Sequence, residues 1–430
     1  MPSLRPKISR FGIPEFPAIQ PVIKTSDSRS GDFCLLQFHP RYYFAVYPPK
    51  NRIFPKLASL ATGIFLILPA ASAMEQTASN SPAPIRADGT NVWFDIRPFG
   101  VEGRGWNDTK DFYDRLPAKA EGVVRQPVWD LSRNSAGMCV RFVTDATTFR
   151  ARWAVTDPWL YLPNITAIGK SGLDLYVKTE NGWRWLAVGQ PTAQTNEVTL
   201  IKDLIPGKRE YLLYLPLYNG TKFVEIGIPT NHVMEKAPPW GAGERKPIVF
   251  YGTSILQGLS ASRPGMVHSA MLGRKFHYPT INLGFSGNGK MEPEMADLLA
   301  ELDPSVYVID CLPNMVADEI KARVEPLVKK LRAAHADVPI VLVEDRTMQD
   351  SFLIAGRMEW YHLKDRAELK AAYERLQKAG VKNLFYIPGE HLFGDDGEGS
   401  TDGSHPNDLG FMRQAEIFAK VLEPLLKPAQ

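Results

Sequence analysis

The stretch IVFYGTSILQG, residues 248–258, decides how this chain is read. Ile248 to Tyr251 form the short unbroken apolar run that a strand buried on both faces needs. Gly252 permits a tight turn. Ser254, just after it, would project from the carboxyl edge of a sheet beside a helix N-terminus, whose dipole favours developing negative charge. Taken alone, a serine at such a junction is more often an N-cap. Its meaning depends on what lies on either side.

Downstream, four runs of the same kind follow: TINLGF (280–285), VYVIDC (306–311), IVLVED (340–345) and LFYIP (384–388). Helical patterns occupy 262–276, 291–301, 317–335, 364–379 and 408–426. This alternation predicts a doubly wound parallel sheet in three α/β/α layers over 248–428, with right-handed crossovers. Ligands of such sheets bind at the carboxyl ends of the strands. Residues with chemistry fall at those ends. INLGFSGNG (281–289) sets Gly284, Gly287 and Gly289 around Ser286 and Asn288, and glycines let a backbone N–H approach a ligand closely. VIDCLPNM (308–315) carries Asn314, either an oxyanion donor or an Asx-turn residue after Pro313. STDGSHPNDLGF (400–411) places Asp402 and His405 three apart, before the final helix. A serine hydroxyl is a weak nucleophile that needs a base, and the base needs a carboxylate to fix its tautomer. An Asp-x-x-His pair on one loop provides both; read otherwise, Asp402 and Ser404 are turn residues and His405 is solvated.

Upstream, residues 92–232 read as all-β. GMCVRFVTD, FRARWAVT, GLDLYVKT, REYLLYLPLY and KFVEIGIP are short, rich in β-branched and aromatic residues, and spaced about ten apart by Gly, Asn, Asp and Pro. That spacing predicts a sandwich or jelly roll. VMEKAPPWGAGERKP (233–247) reads as a linker, and 74–91 as another.

Ser, Gly, Asn and Asp-x-x-His at successive strand ends, in that order, resemble the SGNH (GDSL-like) esterase superfamily. GTSI stands in place of the GDSL signature, with Thr253 at the position of the eponymous Asp. CLPNM keeps Asn314 but not the usual Gly before it and Asp after it. SGLDLYVK (171–178) and YLPLYNG (214–220) look like the N-terminal β domain of a secreted SGNH subgroup marked by a Gly-x-Asp-Leu-Tyr motif. The resemblance covers about residues 90–428. It implies an all-β jelly-roll domain followed by an SGNH domain, in a serine esterase that removes acyl groups, often acetyl, from carbohydrates. Carried over residue by residue, Ser254 is the nucleophile, His405 the base and Asp402 its orienting carboxylate. The oxyanion hole comprises the backbone N–H groups of Ser254 and Gly287 and the Asn314 side chain, with Gly284 as the fallback for Gly287. No cofactor is implied. No metal is expected either, since His268, His277, His335, His362 and His391 lack ligand spacing. His391 and Asp395-Asp396 read as surface residues. Asp174 and Tyr176 are expected only to hold a strand and corner in place. Trp159, Tyr161, Trp183, Trp185, Trp240 and Trp360 are candidates for stacking on sugar rings or for core packing. No lid-like amphipathic helix or exposed apolar stretch argues for a lipase. A lysophospholipase or small-ester esterase and a non-catalytic carbohydrate-binding protein stand as alternatives.

The chain has 430 residues, 44% hydrophobic and 23% charged, a composition that excludes wholesale disorder. Three cysteines exclude a disulfide scaffold. Cys139 and Cys311, in different domains, are expected as buried thiols. LASLATGIFLILPAASA (57–73) follows Arg52 and Lys56 and ends in Ala71-Ser72-Ala73. This is the pattern of a secretory signal peptide, placed at 51–73, and it is short for a membrane span. Residues 1–50 are expected to be disordered or a mis-assigned start, and the product exported without stable membrane insertion. Removing the nine basic and three acidic residues of 1–73 turns a net charge of +3 into −3 over 357 residues. No polybasic patch remains, so nucleic acid and anionic membranes are poor partner classes.

Overall fold

The computed structural model describes residues 80–241 and 243–426. The signal peptide, the start assignment and Cys34 lie outside the described residues.

Five parallel strands form the second half. In spatial order they are Thr280–Gly284, Ile248–Gly252, Val306–Asp310, Ile340–Val343 and Leu384–Ile387. Strand order therefore runs 2-1-3-4-5 and reverses between the strands at 248 and 306. Both faces are covered, which is why these strands are apolar throughout. On one face, helices His268–Phe276 and Asp408–Leu422 pack Leu272, Phe418 and Leu422 on Ile248, Phe250 and Val308. On the other, Pro293–Ala300, Ala317–Ala334 and Lys364–Lys378 pack Leu299, Leu327 and Leu369 on Val249, Ile309 and Leu342.

The first half is a sandwich of two antiparallel sheets. One orders Arg86–Ala87, Asn91–Asp95, Thr221–Pro229, Phe149–Val155 and Thr195–Ile201. The other orders Met234–Lys236, Cys139–Thr144, Arg209–Tyr214, Leu173–Thr179 and Gly182–Gly189. Between them lies an aromatic core in which Phe142, Phe149 and Tyr211 meet ring to ring and Trp153 is fully buried.

Two stretches expected as linkers are partly sheet. Arg86 and Ala87 pair with Trp93 and Val92, and Met234–Lys236 pairs with Phe142–Thr144. Edge strands satisfy backbone groups that a free linker would leave to water. Beyond Lys236 the segment is pinned by Trp240 Nε1, which donates to Glu102 at 2.6 Å, and by Arg245, which donates to the Phe276 carbonyl at 3.0 Å. The two halves share a core. Helix Gln126–Ser132 pushes Val128 and Trp129 into the cluster beneath the parallel sheet, and the described residues form one compact unit. Cys139 and Cys311 are buried and unpaired. Among the described residues, no helix is long and apolar enough to cross a membrane.

The expected lack of an exposed apolar stretch does not hold. Between the fourth strand and the helix that follows, Phe352 and Leu353 are 84% and 81% exposed, and Ile354, Trp360, Tyr361 and Leu363 are exposed with them. The segment returns into its helix through a wide turn, Glu359–Leu363. Its apolar residues follow no helical or strand period, so the sequence gives no hint of which way they face.

Candidate active site

Gly252 pairs with Gly284 on one side and with Asp310 on the other. The loops after these three strands therefore leave from one level of the sheet, at the reversal in strand order where such folds bind ligands. Thr253 caps the short helix Ser254–Gln257, its hydroxyl accepting from the Ile255 N–H. Thr253 takes the capping role, so Ser254, the first helical residue, is released from it. Ser254 Oγ lies 2.9 Å from His405 Nε2, and His405 Nδ1 lies 2.8 Å from Asp402 Oδ2. With Nδ1–H donating to the carboxylate, Nε2 is the acceptor that faces the serine. Asp402 Oδ1 also accepts the backbone N–H groups of Ser404 and His405, at 3.1 and 2.8 Å. The Asp-x-x-His spacing is thus a hydrogen-bonded turn and a dyad at once. Burial raises the Asp402 pKa. The His405 backbone N–H, the imidazole and the Asn164 amide outweigh burial and hold the carboxyl at about 2.

The Gly-rich loop folds over the serine turn. Phe285 N–H donates to the Gly252 carbonyl at 3.0 Å, and a Cβ on Gly289 would stand 2.0 Å from that oxygen. Gly287 has φ +69° with open space around it, so its glycine serves backbone conformation. Gly284 is different. Its N–H is already donated to Asn282 Oδ1 at 2.9 Å, and a Cβ there would meet Gln257 N at 2.2 Å. It serves close packing and is unsuited to replace Gly287. Asn314 ends the tight turn Leu312–Asn314, and its amide oxygen is buried without a partner among the described residues.

Several supporting residues carry no local sequence signal, because their partners are distant in the chain. Asn164, in a sandwich loop, donates to Asp402 Oδ2 at 3.0 Å. Tyr218 hydroxyl donates to the Ser254 carbonyl at 3.0 Å; it sits inside the quoted motif YLPLYNG, as Gln257 sits inside IVFYGTSILQG. Gln257 accepts from Ser286 N–H at 3.0 Å and so ties the Gly-rich loop to the serine helix. Arg125 grips the same loop from outside through the Asn288 side chain and carbonyl, at 2.7 and 3.0 Å.

Asp174 and Tyr176 do more than hold a strand. Asp174 accepts from Arg263 at 2.9 Å and from Gly265 N–H at 2.8 Å, and Arg263 also donates to the Tyr176 hydroxyl. A Cβ on Gly265 would lie 2.5 Å from the Tyr176 ring. The Gly-x-Asp-Leu-Tyr strand therefore clamps a loop of the parallel-sheet half. Of the six candidate stacking aromatics, Trp183 and Trp240 pack edge to face and Trp185 lies against the Arg263 guanidinium. Trp159, Tyr161 and Trp360 stand exposed. His391 pairs with Asp395 on the surface.

Ser351, His362 and Asp345 form a second Ser–His–Asp set, all three buried. His362 Nε2 there accepts from Met348 N–H at 3.1 Å as well as facing Ser351 Oγ at 3.3 Å, so its lone pair is engaged. This set stitches the exposed apolar segment to the fold. Beside it lies a cavity of about 40 Å³. Its walls include Ile255, Pro313, Met315 and Ser404, the chain neighbours of Ser254, Asn314 and His405. A larger groove of about 840 Å³ runs along Tyr161, Asn164, Ser262, Glu398 and Asp408.

Comparison with known proteins agrees with this architecture. Residues 245–423 match the GDSL-like lipase/acylhydrolase family, and residues 91–234 match GxDLY, the N-terminus of the SGNH-hydrolase type of esterase. A protein from Bacteroides ovatus described as a GDSL-like lipase is 35% identical; the match covers 78% of this chain and 98% of that one, with a TM-score of 0.74. The salicylyl-acyltransferase SsfX3 of a tetracycline biosynthetic pathway shares the fold at 18% identity and TM-score 0.62, over 82% of this chain and all of that one. A family two carbohydrate esterase from Cellvibrio japonicus shares it at 13% identity and TM-score 0.51, over 78% and 98%. No curated protein matches the sequence. Family match, identity and paired domains together place the chain in the GDSL-like (SGNH) family, as a carboxylic ester hydrolase with a GxDLY-type β domain ahead of its parallel-sheet domain.

Proposed function

We propose that the protein is an exported serine esterase that removes O-acyl groups, chiefly acetyl, from carbohydrates. The observation that carries this is the continuous chain Ser254 Oγ–His405 Nε2 and His405 Nδ1–Asp402 at 2.9 and 2.8 Å. His405 takes the Ser254 proton as Oγ attacks the ester carbonyl carbon. The oxyanion is held by the N–H groups of Ser254 and Gly287 and by the Asn314 amide, which can turn its NH₂ to the same spot. Collapse breaks the bond to the sugar oxygen, which leaves with the proton from His405. Water, deprotonated by His405, then attacks the acyl-serine, releasing the acid and restoring Ser254.

A two-carbon acyl group suits the 40 Å³ cavity, which has room for about two or three waters. Exposed Trp159, Tyr161 and Trp360 are suited to stacking on sugar rings, and the Cellvibrio japonicus neighbour is a carbohydrate esterase. The segment 57–73 supports export. A second reading, a lysophospholipase or small-ester esterase, is favoured by the exposed apolar segment around Phe352 and Leu353.

Acetate release from a panel of acetylated polysaccharides tests the proposal. The wild-type protein is expected to release acetate, and Ser254→Ala to lose at least about 10⁴-fold in kcat. Undiminished hydrolysis of p-nitrophenyl acetate by that variant removes Ser254 as nucleophile. A preference for long p-nitrophenyl esters over the acetate favours the second reading.

A further inference from the structure

The dyad is reached by a residue from the other half of the molecule. Asn164 Nδ2 donates to Asp402 Oδ2, at 3.0 Å, the same oxygen that lies 2.8 Å from His405 Nδ1. Asp402 Oδ1 is taken by two backbone N–H groups of its own turn. The four contacts fix the carboxylate plane from both ends, and only one comes from outside the loop.

The loop that delivers Asn164 is firmly placed. Leu162 and Ile165 exchange backbone hydrogen bonds at 3.2 Å, which makes a tight turn with Asn164 inside it. Ile165 is buried among Ile255, Leu259, Ala261 and Phe411 of the parallel-sheet half. Thr166 Oγ1 donates to the Ser262 carbonyl at 2.9 Å, and a Cβ on Gly169 would meet the Ala261 carbonyl at 2.5 Å. The asparagine is therefore held by packing on the very helix and loop that bear Ser254. A carboxylate fixed by charge-neutral donors keeps its charge for the imidazolium that forms as Ser254 is deprotonated.

We propose that Asn164 is a positioning residue for the Asp402–His405 dyad, so that the hydrolytic site is complete only with this loop of the β domain. The proposal rests on the reading of Ser254, His405 and Asp402 given above. His405 is the ionisable group in contact with Asp402; Asp350, paired with Arg357, lies across the neighbouring Gly403, and Glu398 and Asp408 line the groove that Asn164 also lines.

The test compares Asn164→Ala and Asn164→Asp in the full chain, on p-nitrophenyl acetate from pH 5 to 9, beside Ser254→Ala. Asn164→Ala is expected to lower kcat about 5- to 30-fold with KM within twofold, as an interaction acting through the dyad should. Asn164→Asp keeps the shape but exchanges the donor for a charge. It is expected to lower kcat further, and to move the acid limb of kcat/KM up by about 0.5–1 pH unit, because the added charge stabilises imidazolium. Both variants within twofold of wild type in kcat, with the limb unmoved, would overturn the proposal. So would a loss of activity that only follows the loss of folded protein. An active Ser254→Ala protein would instead sink the parent reading.

Discussion

Asp365, near the start of helix Lys364–Lys378, is buried. Burial first, and then the charge of Asp345, push its pKa up to about 6. An unfolded aspartate titrates near 4. Between about pH 4 and 6 the folded chain thus holds a proton that the unfolded chain has lost, and stability falls as pH rises through that window. Asp365→Asn keeps the shape without the charge. It is expected to raise stability at pH 7.5 by about 1–2 kcal/mol and to change nothing at pH 4. Thermal melts at the two pH values check this; a variant less stable than wild type at both would refute it. Asp402 runs the other way. Its carboxyl is held at about 2, so its contribution is present above about pH 4 and fades as pH falls toward 2. The sequence makes Ser254, Asp402 and His405 visible because their order along the chain matches the order of strand ends. It hides Asn164 and the repulsion of Asp365 by Asp345, because nothing local marks a residue whose partner lies elsewhere in the chain.

The strand Thr280–Gly284 and the helix Ser254–Gln257 touch where Gly284 lacks a side chain. An added Cβ would stand 2.2 Å from Gln257 N and 2.8 Å from the Leu256 carbonyl carbon, both backbone atoms that cannot swing aside. Gly284→Ala is therefore expected to push the serine helix from the sheet, costing about 2–4 kcal/mol, with a matching fall in urea midpoint and a lower kcat. Unchanged stability would mean that the contact yields easily. Buried strands announce themselves by composition, so the five parallel strands were legible to within a residue or two. Helix starts were less so. The pattern read over 262–276 becomes a helix only at His268, since Arg263 and Gly265 are held by Asp174 and Tyr176 and the intervening residues form the turn Pro264–Met266. A tertiary clamp overrode a local preference there, and periodicity cannot register such a clamp.

Across the whole molecule, the two-part reading was correct in kind but made the boundary too clean. Segments taken as linkers pair with the sandwich, and the helix Gln126–Ser132 belongs to the core of the other half. Arg115 is the plainest instance. It is 1% exposed, and its guanidinium donates to the carbonyls of Leu131, Asn134, Asn282 and Gly284, with no carboxylate among these partners. Burial pulls its pKa down accordingly. Two of its four acceptors lie on a strand 167 and 169 residues further along the chain. A ribosome delivers the sandwich residues long before that strand exists. Until it arrives, the cation has half of its acceptors and no parallel sheet to bury it, and a buried cation so placed is strongly unfavourable. Chains ended after residue 245 are expected to be cut by trypsin at Arg115, whereas the complete chain resists there; equal resistance would contradict this. The half of the protein that is made first is thus the half that must wait for the other before it can close.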